Sequence, residues 1–124
     1  MGKATALIAD GDFGFAELLA ARLGTMGYET TTASDGEEAL RTARRERPLL
    51  LVADEALERL DGFKLCRLLK FDKSRSAITV VLMSGAVTEE SQQLAEAVRA
   101  SGYVAKHVDS PDLLSIAQTL LAKE

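Results

Sequence analysis

Short apolar runs alternate along this chain with longer segments of helical periodicity, and that alternation constrains the fold more than any other feature. The runs are Thr5 to Ala9, Glu29 to Ala33, Leu49 to Ala53, Ile78 to Met83 and Tyr103 to Ala105. Three of them are almost continuously apolar, the pattern of strands buried on both faces, as in a parallel sheet. Glu29-Thr30-Thr31-Thr32-Ala33 is polar but β-branched, which suits an edge strand.

The intervening segments carry helix signals. Leu18, Leu19, Leu23 and Met26 keep helical spacing, and Gly27 closes that helix. Ser34-Asp35-Gly36-Glu37 reads as a capping box ahead of Ala39, Leu40 and Ala43. Gly62 to Lys70 sets Phe63, Cys66 and Leu69 on one stripe. Thr88 caps a helix expected from Glu89 to Ser101, ended by Gly102, and Ser110-Pro111 opens a last helix to about Leu121. The prediction is an α/β fold, a (βα)5 unit with helices on both faces of a five-stranded parallel sheet. With 124 residues, it is expected to form a single domain over 1–124.

Four polar residues occupy equivalent places in this scheme. The first strand runs into Asp10, the third into Asp54, the fourth into Ser84 and the fifth into Lys106. In a parallel sheet these carboxyl ends share one edge, where ligands bind at the reversal of strand order. Two carboxylates, a hydroxyl and an ammonium suit phosphoryl transfer. Asp54 is the candidate nucleophile, accepting the group as an acyl phosphate. Asp10 is a candidate Mg²⁺ ligand. Ser84 is placed to donate to a phosphoryl oxygen and Lys106 to neutralise its charge. Gly85 leaves room for a phosphate beside the backbone.

These residues, with the Asp61-Gly62-Phe63 turn and Tyr103 three positions before Lys106, resemble the receiver domain of two-component response regulators. The spacing agrees: 44 residues from Asp10 to Asp54, 30 on to Ser84 and 22 on to Lys106. The resemblance covers essentially the whole chain. It implies a flavodoxin-like strand order 2-1-3-4-5 and phosphorylation of Asp54 by a histidine kinase or phosphotransfer protein. It also implies Mg²⁺ held by Asp10, Asp54 and the backbone of Ala56. Ser84 and Tyr103 would act as the switch, and the changed surface, about Glu89 to Leu121, would meet an unidentified output protein or a second copy of the chain.

The chain departs from the family pattern in places. Gly11 stands where the family has a second acid, the position of a main Mg²⁺ ligand, so metal binding is expected to be weakened. Asp12 is placed to compensate through a water or to cap the first helix, with capping favoured. His107 replaces the usual proline after Lys106. The Lys106–His107 bond is therefore expected to be trans, with the loop rearranged and Lys106 drawn off line from the phosphate. Glu58 replaces a frequent proline after Asp54.

Blander roles compete at other positions. Tyr103 serves packing or switching. Cys66, the only cysteine, reads as a small core residue, and no intrachain disulfide can form. His107, the only histidine, reads as a solvated loop residue, and Arg41, Arg44, Arg45 and Arg47 as a solvated helix end suited to the helix dipole. Phe13 fits either packing or partner contact. The net charge of −4 argues against direct nucleic-acid binding, and no apolar run is long enough for a membrane span, so a cytoplasmic protein is expected. Two further function classes remain in view. One is a phosphorylation-independent pseudo-receiver acting as a protein–protein interaction module, suggested by Gly11 and His107. The other is a phosphatase of haloacid-dehalogenase type with Asp10 as nucleophile and Asp12 as acid/base, which leaves Asp54 unexplained.

Overall fold

The computed structural model describes residues 2–123, so Met1 and Glu124, the two ends of the expected domain, lie outside it. Five strands alternate with five helices: β1 (Thr5–Ala9), α1 (Phe13–Met26), β2 (Glu29–Ala33), α2 (Gly36–Glu46), β3 (Leu50–Asp54), α3 (Gly62–Lys70), β4 (Thr79–Ser84), α4 (Glu89–Ala97), β5 (Gly102–Ala105) and α5 (Pro111–Ala122). The sheet has the order β2-β1-β3-β4-β5 and every pairing is parallel. The expected architecture and strand order are therefore those observed.

The burial pattern explains why this sequence folds so. Along β1, β3 and β4 successive side chains point to opposite faces, and both faces are covered. Leu7, Leu51, Val80 and Leu82 pack with Ala39, Leu65, Cys66 and Leu69 on one side. Ile8, Val52, Val81 and Met83 pack with Leu19, Leu23, Leu113 and Ala117 on the other. Each fully enclosed aliphatic side chain stabilises the fold by roughly 1.5–3 kcal/mol. The polar β2 lies at an edge with most of its residues partly or fully exposed.

Local signals set the helix ends. Asp12, Asp35, Asp61, Thr88 and Ser110 each accept a backbone N–H from the first turn of the following helix. Gly27 closes α1 in the left-handed region at φ 117°. Three expectations need correction. The cap of α2 is Asp35 rather than Ser34, because Asp35 has the extended backbone and its carboxylate meets the Glu38 N–H at 2.9 Å. β3 and β4 each start and end one residue later than expected, so Asp54 and Ser84 are the last residues of their strands rather than the first beyond them. And α4 stops at Ala97, short of Ser101, because Arg99 takes a left-handed conformation at φ 64° and turns the chain. No helix among the described residues is long and apolar enough to cross a membrane.

Candidate functional site

The carboxyl ends of β1 and β3 and the residue after β5 open onto a cavity of about 500 Å³, lined by Asp10, Gly11, Asp12, Asp54, Ala56 and Lys106 together with Ser34, Asp35, Leu57, Glu58 and Arg59. Strand polarity brings these groups together. Ala9 is level with Ala53, so Asp10 and Asp54 leave the sheet side by side.

Lys106 is the hub. Its ammonium lies 2.8 Å from Asp10 Oδ2 and 3.4 Å from Asp54 Oδ2, and it also stands over the Phe15 ring, 4.7 Å from the centroid. Partial burial by itself pulls the lysine down. The hydrogen bond and charge of Asp10, then those of Asp54, outweigh that and hold it above its ordinary value of 10.5. With His107 in place of proline, the Lys106 ammonium still lies within 3.4 Å of both carboxylates. No peptide bond among the described residues is cis, the Lys106–His107 bond included. The trans loop still delivers the ammonium to both carboxylates, because the Lys106 N–H is fixed to the Ser84 carbonyl at 2.8 Å. In that loop the exposed His107 accepts the Asp109 N–H through Nδ1.

The two carboxylates differ in character. Asp10 is enclosed, with a side chain only 1% exposed, and its Oδ1 also accepts the Asp12 N–H at 2.8 Å. Asp54 keeps a 17% exposed side chain, and its Oδ1 accepts the Ala56 N–H at 3.1 Å. A nucleophile must be reachable, and of the two it is Asp54 that faces the opening. Gly62 makes this placement possible. A Cβ there would lie 2.5 Å from the Asp54 carbonyl oxygen and 2.9 Å from Glu55 Cα, so the turn after β3 closes tightly only on glycine.

Asp12 caps α1, with its Oδ1 3.1 Å from the Phe15 N–H. Phe13 stands out into solvent at 74% exposure. Ser84 is brought to the same rim but does not line the cavity. It is 1% exposed, and its Oγ accepts the Ala86 N–H at 3.0 Å. Tyr103 also stands apart, its hydroxyl bonded to Glu55 and Ser91. Cys66 is fully enclosed and its thiol is pushed up to about 12 by burial, with the charge of Lys70 pulling weakly back.

The donor set falls short of a complete Mg²⁺ site. Mg²⁺ takes one or two carboxylates and keeps several waters. Asp10 Oδ1 accepts from Lys106 Nζ at 3.0 Å and from the Asp12 N–H at 2.8 Å, whereas its buried Oδ2 lies 2.8 Å from the ammonium as an ion pair and has no hydrogen-bond partner among the described residues; Gly11 contributes no side chain, and Asp12 is bound to its helix. Among the described residues no three His, Cys, Asp or Glu side chains gather to hold a metal ion.

Two cavity residues, Leu57 and Arg59, carry no signal in the sequence. Arg59 adopts φ 69° and pairs with Asp35 at 3.5 Å. Its place on the wall depends on how the loop after β3 folds over α2, where the Gly36 N–H bonds the Glu58 carbonyl at 3.1 Å. The acid run from Asp54 to Glu55 was a visible signal for Glu55, although its partner lies 48 residues away.

Comparison with known proteins gives a consistent set of likenesses. The sequence pattern of the family described as "Response regulator receiver domain" matches residues 6–118. The chain is 29% identical over 123 residues to "Probable transcriptional regulator ycf27" of Cyanophora paradoxa, covering 99% of this chain and 50% of the relative. It is 43% identical over 67 residues to the alkaline phosphatase synthesis transcriptional regulatory protein PhoP of Bacillus subtilis, covering 54% of this chain and 28% of that protein. The chain therefore spans half or less of these curated relatives. Among solved structures, the signal receiver domain of a signal transduction histidine kinase from Syntrophus aciditrophicus superposes with a TM-score of 0.85 at 27% identity, covering 97% of this chain and 91% of that one. A CheY-like receiver domain protein from Methanospirillum hungatei, at 24% identity and a TM-score of 0.87, shares the fold over 98% of this chain and 96% of its own.

Proposed function

Because the chain belongs to the response regulator receiver domain family, we propose that it is a phosphoaccepting signalling domain that takes a phosphoryl group on Asp54 from a histidine kinase or phosphotransfer protein. The observation that carries this reading is the convergence of Asp54 and Lys106 in one open cavity, with the enclosed Asp10 holding the ammonium in place. In the transfer, an Asp54 carboxylate oxygen attacks the phosphorus of a phosphoimidazole. The P–N bond breaks, the imidazole leaves and takes up a proton, and an acyl phosphate remains on Asp54. Lys106 supplies charge to the incoming oxygens where charge accumulates. The hydroxyl of Ser84, which accepts the Ala86 N–H and keeps its own proton free to donate, would have to move from its enclosed position to reach them, the local rearrangement expected of a switch residue.

Receiver domains generally bind Mg²⁺ at the acidic pocket. Here Asp10, Asp54 and the backbone of Ala56 would hold it, weakly, since Gly11 adds no carboxylate. Tyr103 with Ser84 would pass the change to the α4–β5–α5 face, toward an output protein or a second copy, in the cytoplasm.

Two other readings have less support. A phosphorylation-independent module would not need Asp54, Ser84 and Lys106 at one rim. A phosphatase with Asp10 as nucleophile is opposed by the enclosure of Asp10 and by the use of Asp12 as a helix cap. The test is incubation with acetyl phosphate and Mg²⁺, read by mass spectrometry. One phosphoryl group should be added to the native chain and none to Asp54→Asn. An unmodified native chain at saturating acetyl phosphate refutes the proposal.

A further inference from the structure

Tyr103 does not float at the edge of the sheet. Its hydroxyl contacts two side chains that come from other parts of the chain: the Glu55 carboxylate, immediately after Asp54, and Ser91 Oγ at 2.7 Å, in the first turn of α4. The phenol has one proton. That proton goes to the Glu55 carboxylate, and the single Ser91 proton lies within reach of both the phenol oxygen and the Thr88 carbonyl, the latter at 3.1 Å. Ser91 Oγ in turn accepts the Thr88 N–H at 3.0 Å, while the Ser91 N–H returns to Thr88 Oγ1 at 3.0 Å. A connected set of hydrogen bonds thus links the cap of α4, Ser91, Tyr103 and Glu55. Glu55 is itself fixed, its N–H bonding the Met83 carbonyl at 2.9 Å.

The surroundings give this chain weight. α4 buries only Ala95 of its own residues, so apolar packing anchors it less than it does α1, which buries Ala16, Leu19 and Leu23. The Tyr103 ring is placed from one side by Phe63, with centroids 6.0 Å apart. Its hydroxyl end is placed by the Glu55 carboxyl on one side and by Ser91 Oγ on the other.

We propose that Glu55 is the positioning residue that sets the resting orientation of Tyr103 and, through Ser91, steadies the capped first turn of α4. Deepening the switch reading of Tyr103 given above, and resting on it for its signalling consequence, this assigns a role to the residue next to the phosphoacceptor. An inward turn of Tyr103 must break the bond to Glu55, and doing so releases the Ser91 hydroxyl and loosens the start of α4.

Amide hydrogen exchange followed by NMR in the unmodified chain tests this. Glu55→Ala and Tyr103→Phe should each speed exchange at Thr88, Ser91 and Gln92 by about fivefold, with the amides of α1 unchanged. The double variant should be no faster than either single one, because both cut the same chain of bonds. Glu55→Gln, which keeps an acceptor oxygen, should restore most of the protection. Unchanged exchange in Glu55→Ala, single effects that multiply in the double variant, or a Glu55→Gln as fast as Glu55→Ala would each overturn the proposal. Failure of Asp54 to accept a phosphoryl group would instead overturn the functional reading and leave these rates as they are.

Discussion

Lys106 neutralises Asp10 across 2.8 Å, at a point where the aspartate side chain is only 1% exposed. An enclosed carboxylate stripped of its cation is costly, so Lys106→Ala should destabilise the chain by about 3 kcal/mol in urea unfolding. Adding Asp10→Asn to that variant should recover most of the loss. The pH sense follows from the raised lysine. A group raised on folding stabilises below its unfolded value of 10.5 and loses that contribution as the pH climbs through the folded value. The pair therefore weakens only in strongly alkaline solution.

Gly11 is the position at which a carboxylate can be restored. A Cβ there would meet only the Ser34 carbonyl oxygen, at an ordinary 3.6 Å. Gly11→Asp should fold normally and tighten Mg²⁺ binding by at least about tenfold in isothermal titration, as a third carboxylate joins Asp10 and Asp54. An unchanged affinity would show that the weakness lies in the commitment of Asp10 to Lys106 rather than in the missing acid.

Gly62 and Gly85 should respond in opposite ways to the same change. Gly62→Ala drives a Cβ into the backbone of Asp54 and Glu55, and should cost more than about 2 kcal/mol and slow phosphoryl transfer to Asp54. Gly85→Ala meets nothing within 4 Å and should shift stability by less than about 0.5 kcal/mol. Paired denaturation curves decide the point.

Cys66 offers a second, separable pH effect. Its thiol donates to the Val98 carbonyl at 3.4 Å and stays neutral up to about 12, whereas in the unfolded chain it ionises near 9.0. Between those values the folded state binds more protons, so stability falls as the pH rises. Cys66→Ala should flatten the stability profile across that window, and the native thiol should resist alkylating reagents at pH 8 except through unfolding.

Much of this protein can be read from local pattern. Apolar runs of strand length buried on both faces, such as Leu50 to Ala53, require cover on each side, and helix-starting residues such as Thr88 and Ser110 deliver that cover at set points. Parallel strands then bring Asp10, Asp54, Ser84 and Lys106 to one rim whatever their side chains do next. Where those side chains point was decided only in the folded molecule. Ser84 turns to the Ala86 N–H, Lys106 reaches Asp10 despite the histidine that follows it, and Tyr103 finds Glu55 and Ser91. The strand pattern is set by burial at each position and repeats every second residue. A side chain's hydrogen-bond partner depends instead on neighbours from distant segments, which come within reach only after the sheet and its helices have packed.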